Sequence, residues 1–283
     1  MLNRMIETGI GYICTTIDKL PHYLSAVTQQ QPIESRLVEK IIDNLNAEIA
    51  LGTVTTVHEG VQWLGYSYMF VRWKKNPLGY GIDWQEFQDD PTLTQKRRSL
   101  IIKAAKHLQK LQMIIFNEST ESLSPKDLGR IASNFYVLNT SIEVFNNLLK
   151  PTQSEADILS IIALSGEFDN IQARGYSHIL SLVLLALTLY IDNEAEELLK
   201  LRETVCPCEV PGKSDDTHVK TNILLQAYIS RANLEDFTLV SDSAYVAQNA
   251  ARICRALFMI ALNRRWGHLC HVLLSMGKSI EKR

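Results

Sequence analysis

Ser241-Asp-Ser-Ala-Tyr-Val-Ala-Gln-Asn-Ala-Ala-Arg-Ile-Cys-Arg-Ala-Leu-Phe258 contains neither Gly nor Pro and is rich in Ala, which predicts one long helix from about Val240 to Asn263. At helical periodicity Ser241, Tyr245, Gln248, Arg252 and Arg255 share one face. The remaining faces carry Ala247, Ala250, Ala251, Cys254, Leu257, Phe258 and Ala261, small or apolar groups suited to close packing. A stripe with two arginines on a helix built for burial has two readings. It is a solvated face, or it lies along a ligand that accepts guanidinium hydrogen bonds and stacks on a ring, as a nucleic-acid strand does.

Around this helix the pattern predicts a mainly α chain with little β. Further bundle helices are expected at Ser141–Leu149, Ser154–Ala163, Glu194–Glu203, Val219–Arg231 and Trp266–Ile280. Leu148-Leu-Lys-Pro-Thr152 and Asp215-Asp-Thr-His218 mark breaks between them. Upstream, three helices are expected at Leu37–Leu51, Val57–Lys75 and Thr92–Gln112. The second is started by a Thr cap at Thr55 or Thr56 and stopped by Asn76-Pro77. Leu100, Ile101, Ala104, Leu108 and Leu111 should form the buried face of the third. Met113–Asn117 and Gly129–Val137, with a turn near Glu118–Ser124, could pair as a small wing, which makes residues 36–137 a winged-helix domain. Before them Gly9–Thr16 reads as a short β-type run and His22–Gln30 as helical, a poorly anchored strand without its sheet.

The charge is nearly balanced, 29 Lys+Arg against 31 Asp+Glu for a formal net of -2, which excludes a globally basic nucleic-acid binder and leaves only a local patch. Five scattered cysteines behind no secretory signal point to a reduced compartment, the cytoplasm or alternatively the nucleus. Gly175–Ile191 is the most apolar run, yet short of the about 20 residues a membrane span needs. On composition it is a buried helix. A second reading is a retained short intron, because removing it would join Phe168–Arg174 directly to the acidic Asp192–Leu198.

Motor chemistry is not legible. Val210-Pro-Gly-Lys-Ser214 ends like a phosphate loop, but Pro207 stands where the leading Gly belongs and removes an N–H from a loop that works by donating them. No acidic box for magnesium is found, and no cofactor is implied. Cys206-Pro-Cys208 lacks a second ligand pair, so no zinc site is expected, and His268, Cys270 and His271 lack further ligands. Lys96-Arg-Arg98, Arg72/Lys74/Lys75 and Arg264-Arg265 read by default as solvated charge.

Several longer phrases resemble the large superfamily-two DExH RNA helicases. They are Thr28-Gln-Gln-Gln-Pro-Ile-Glu-Ser35, Asp43-Asn-Leu-Asn-Ala-Glu-Ile-Ala-Leu-Gly-Thr-Val54, Trp63–Arg72, Asn76-Pro-Leu-Gly-Tyr-Gly81, Asp127-Leu-Gly-Arg-Ile-Ala-Ser133, Asn222–Arg231 and the Ser241–Leu257 run, in family order. The resemblance is to the branch of the activating signal cointegrator complex helicase subunit and its fungal ribosome-quality-control counterpart, related to the spliceosomal unwinding helicase, and to the first of two helicase cassettes. It implies the end of the second RecA-like motor domain at 1–35, a winged helix at 36–137, and a Sec63-type helical bundle at 138–283. That bundle is cut before the helix-loop-helix and immunoglobulin-like domains that follow in the family, and it carries the insert 175–191.

By the same resemblance the long helix is a ratchet, with Tyr245, Gln248, Arg252 and Arg255 touching single-stranded RNA or DNA and no catalytic residue. The implied partners are the parent RecA-like motor domains and possible ribosome or coactivator-complex proteins, with no membrane. The chain would then be no enzyme in isolation. A protein-interaction scaffold, or a truncated product without function, is the alternative.

Overall fold

The computed structural model describes residues 11–28, 33–171, 185–213 and 216–281. Most of the apolar run 175–191 lies outside them, as do residues 9 and 10 of the expected N-terminal strand; residues 11–16 form no strand. The chain is mainly α, thirteen α-helices and one two-stranded sheet among the described residues. α1 (Leu20–Val27) opens with Pro21 in its first turn, where the missing N–H costs nothing, and buries no residue.

A winged helix follows, made of α2 (Ile41–Leu51), α3 (Val57–Gly65), α4 (Tyr68–Lys75), α5 (Trp84–Asp89), α6 (Thr94–Lys110) and a β-hairpin. α2 ends on Gly52 at φ 81, a left-handed cap that glycine adopts without strain. Thr56 starts α3 with a capping box in which Glu59 returns the bond to the cap's own N–H. The single helix expected over Val57–Lys75 is in fact two. Ser67 breaks it: its Oγ donates to Leu64 O at 2.6 Å and accepts from Phe70 N at 3.3 Å, closing one helix and capping the next. Gly65 is needed there, since a Cβ would stand 2.8 Å from Arg97 Nη1.

The wing also differs from expectation. β1 (Ile114–Asn117) pairs antiparallel with β2 (Ser122–Pro125), Phe116 opposite Leu123, and Thr56 bridges Ser122 on the outer edge. Of residues Gly129–Val137, expected as the second wing strand, Gly129–Phe135 belong instead to α7 (Asp127–Phe135), which has the amphipathic spacing of a helix, with Ile131 and Ala132 buried, and Tyr136 caps it. α7 crosses α2 so closely that Asn46 Nδ2 reaches Gly129 O at 3.0 Å.

The bundle holds α8 (Asn139–Leu148), α9 (Glu155–Ala163), α10 (Leu185–Thr204), α11 (Thr217–Ile229), α12 (Phe237–Asn263) and α13 (Gly267–Glu281). α11 is its axis: every residue from Val219 to Ala227 is buried. α12 packs on α7, α9, α11 and α13, and α7 in turn packs on α2 and β2, so α7 links the winged helix to the bundle. Buried apolar side chains run without a gap from Ile41 in α2 to Ile280 in α13.

The connector ahead of α2 is clamped onto the winged helix. Glu34 accepts from Arg72 Nη2 at 2.7 Å, Arg72 Nε at 3.1 Å, Tyr80 Oη at 2.7 Å and Asn76 Nδ2 at 3.1 Å. Tyr68 Oη adds a bond to Ile33 O. These donors, Arg72 foremost, hold the Glu34 carboxyl down at about 2 from its ordinary 4.5. A depressed carboxylate contributes stability that is complete above its unfolded pKa and is lost as pH falls through its folded one. The clamp is therefore expected to hold at neutral pH and to loosen between about pH 4.5 and 2. Protection of the amides at residues 33–36, expressed relative to the intrinsic exchange rate at each pH, should fall over that window in the wild type and be low throughout in Glu34→Gln. Wild-type protection that stays constant across the window would refute the clamp.

Candidate nucleic-acid interface

α12 presents its polar face to an open groove of about 830 Å³. Ala244, Ala247 and Ala251 line its length and let a ligand approach the backbone; Tyr245, Gln248, Arg252 and Arg255 stand along it. Ile280 and Glu281 of α13 and Tyr228 of α11 complete the lining. The four residues assigned from the sequence are thus brought to one groove; Ser241 is exposed on α12 outside it.

Their states differ. Gln248 is exposed and has no side-chain hydrogen bond among the described residues. Tyr245 is 40% exposed, but its hydroxyl donates to Glu167 O at 2.9 Å and its ring meets Phe168 edge-on at 6.5 Å. Arg255 Nε and Nη2 both lie 2.5 Å from Glu281 Oε1, a pair whose side chains are 59% and 43% exposed. Exposed pairs of this kind are worth about 0–1 kcal/mol, so a phosphate can displace the carboxylate at small cost.

Arg252 has a structural task that sequence reasoning missed. Its Nη1 donates to Phe135 O at 3.1 Å and to Tyr136 O, and its Nη2 to Asn249 Oδ1 at 2.6 Å. Those carbonyls end α7, where the helix dipole concentrates negative partial charge, and a cation there is favourable. Arg252 therefore braces α12 against the end of α7 while also lining the groove. No sequence signal links residue 252 to residues 135 and 136.

Of the cations read as solvated, Lys74, Lys75 and Arg265 are exposed, whereas others are engaged by the fold. Arg97, expected as solvated, is 9% exposed; it donates to Val61 O at 2.7 Å and Thr92 O at 3.0 Å and lies over the Phe70 ring. Arg98 pairs with Glu121, Lys96 with Glu86, and Arg72 with Glu34. Arg264 is half-buried, donating to Asn146 Oδ1 at 2.8 Å and stacked over Trp266. A second hollow of about 670 Å³ beside α10 is lined by Glu196, Glu197, Glu235 and Asp236 against Lys200, an acidic wall that repels phosphate.

Nucleophile and metal chemistry find no support among the described residues. Burial pushes the Cys206 thiol up to about 11 and that of Cys254 up to about 12, so neither is a thiolate at neutral pH. No group of three or more His, Cys, Asp or Glu side chains is placed to hold a metal ion. Gln226 instead fixes the Cys206–Cys208 loop, accepting from Cys208 N at 2.9 Å and donating to Cys208 O. Among the described residues no helix is long and apolar enough to cross a membrane.

A winged helix joined through α7 to a helical bundle, with Arg252 of its long polar-faced helix on the end of α7, defines the class of fold. Residues 125–283 match the Sec63 Brl domain and residues 34–110 a winged helix-turn-helix domain, so the chain belongs to the Sec63 Brl domain family. It is 50% identical over 97% of its length to the RQC trigger complex helicase SLH1 of Saccharomyces cerevisiae and 48% identical over 97% to the activating signal cointegrator 1 complex subunit 3 of Homo sapiens. It is 41% identical over 98% to the DExH-box ATP-dependent RNA helicase DExH14 of Arabidopsis thaliana. The chain spans only 12–13% of the length of these relatives.

Proposed function

We propose that the chain is the strand-gripping, motor-less part of an ATP-dependent RNA helicase, its winged helix at 36–137 and bundle at 138–283 following a remnant of motor domain at 1–35. A single strand of RNA or DNA lies along α12, with Arg255 on a phosphate, Gln248 on a base or sugar edge, and Tyr245 and Arg252 shaping the wall. One observation carries this reading: the four polar residues of α12 stand together in an open groove that contains a single carboxylate. The names of the relatives place them in a ribosome-quality-control trigger complex and a signal cointegrator complex, so RecA-like motor domains and proteins of such complexes are the partners proposed. The cytoplasm, or the nucleus, is the compartment this implies. On this reading the module alone hydrolyses no ATP.

The test is anisotropy of a labelled oligouridylate with the 283-residue chain at 50 to 200 mM salt. Wild type should lose affinity as salt rises. Arg255→Ala should weaken binding by about 1–2 kcal/mol, roughly ten-fold, and reduce the salt slope by about 0.7. Affinity and slope unchanged by Arg255→Ala would overturn the reading. The alternative, a protein-interaction scaffold, is favoured by Tyr66 at 91% and Leu78 at 70% exposure on the winged helix.

A further inference from the structure

We infer that Tyr136 is the stacking platform at one end of the α12 groove and receives an unpaired base of the bound strand, an inference that rests on the nucleic-acid reading of that groove. Single-strand binding alternates cations on phosphates with aromatic faces on bases. Of the two aromatics that line the groove, Tyr245 is tied by its hydroxyl to Glu167 O and by its ring to Phe168, and Tyr228 is half-buried on α11 and also engaged. Tyr136 is 79% exposed, and its ring and hydroxyl have no partner among the described residues.

Its root, by contrast, is rigid. Tyr136 closes α7 at φ 51, its neighbour Val137 N bonds Ala132 O at 2.9 Å, and its carbonyl accepts from Arg252 Nη1. Arg252 lines the groove, so the backbone of Tyr136 is held one hydrogen bond beyond a lining residue. A left-handed helix cap is the position where Gly or Asn is cheapest and a bulky residue is strained. The chain keeps a large, solvent-facing ring there nonetheless, and strain held next to a binding groove points to a use. With the backbone already fixed, only the side-chain torsions of Tyr136 remain to be ordered when a base stacks on it.

The whole chain is compared on labelled oligouridylate and on an abasic strand of equal length. Tyr136→Ala should weaken the oligouridylate about 5- to 100-fold without changing the salt slope, and leave the abasic strand unaffected. Tyr136→Trp should stay within about two-fold of wild type, stacking being tolerant of ring type. Tyr136→Asn removes the ring while suiting the left-handed backbone, so its loss of binding at an unchanged Tm separates stacking from folding. Salt-sensitive wild-type binding that Tyr136→Asn leaves within two-fold overturns this inference and keeps the groove. Absence of wild-type binding to either strand overturns the groove reading and this inference together.

Discussion

Lys220→Met is expected to destabilise the fold by about 3–5 kcal/mol, the cost of removing one partner from a desolvated ion pair. Lys220 is fully buried on α11, its Nζ 2.5 Å from Glu194 Oε1 and 2.7 Å from Asp242 Oδ2, with Glu194 only 3% and Asp242 31% exposed at the side chain. The trio ties α10 and α12 to the central helix. Glu194 is further committed, its other oxygen accepting from Thr238 Oγ1 at 3.0 Å near the start of α12. Met fills the volume of the Lys stem, so packing is nearly kept and the loss is electrostatic: two carboxylates, one of them dry, left without a cation. A fall in Tm on the order of 10 °C should follow. Adding Glu194→Gln to Lys220→Met should restore about half of the loss or more, because a neutral amide there no longer strands a charge. A loss below about 1 kcal/mol in Lys220→Met would mean that water reaches the trio.

Gly129→Ala is the second large effect, expected at about 2–4 kcal/mol. A Cβ at Gly129 would lie 2.2 Å from Met113 O and 2.8 Å from Asn46 Oδ1. The first of these is backbone, also held by Lys126 N at 2.9 Å, so it cannot swing aside and α7 must lift off the segment that leads into β1, as well as off Asn46 of α2. The gain in helix propensity from Gly to Ala, about 1 kcal/mol, offsets only part of this. Gly60 supplies the control: there a Cβ would meet only the Ile101 side chain, at 3.1 to 3.4 Å. Gly60→Ala should therefore change stability by no more than about 1 kcal/mol in urea unfolding. Equal effects at both positions would show that the α2–α7 approach is not the constraint.

These two positions also show what the resembling phrases encode. Gly129 stands in Asp127–Ser133 as the crossing point of two helices. In Asp43–Val54, Asp43 accepts from Asn139 N and Nδ2 at 2.7 and 2.9 Å, and Asn46 holds Gly129 O. Glu34 in the connector phrase is a clamp on Arg72. The phrases that identify the family are thus largely its joints, where helices from distant parts of the chain are keyed together.

Local chemistry was legible without a structure. The helices of the bundle, the Thr cap at Thr55 or Thr56, the mainly α class and the shared face of Tyr245, Gln248, Arg252 and Arg255 all follow from interactions within about four residues, which propensity and periodicity record. The break at Ser67 was missed although its bonds, to Leu64 and Phe70, are local, whereas the helical state of Gly129–Phe135 was misread because it rests on a partner far along the chain, α2 receiving α7.

The sequence alone determined where a polar-faced helix would form and which residues it would display. Only the tertiary structure decided what each of them is free to do: it placed Arg252 on the carbonyls that end α7, Arg255 against an exposed carboxylate, and Tyr136 beside them. The reason is physical. A helix face is set by a repeat of 3.6 residues, whereas the partner of a guanidinium 117 positions away is set by how two packed units close on each other.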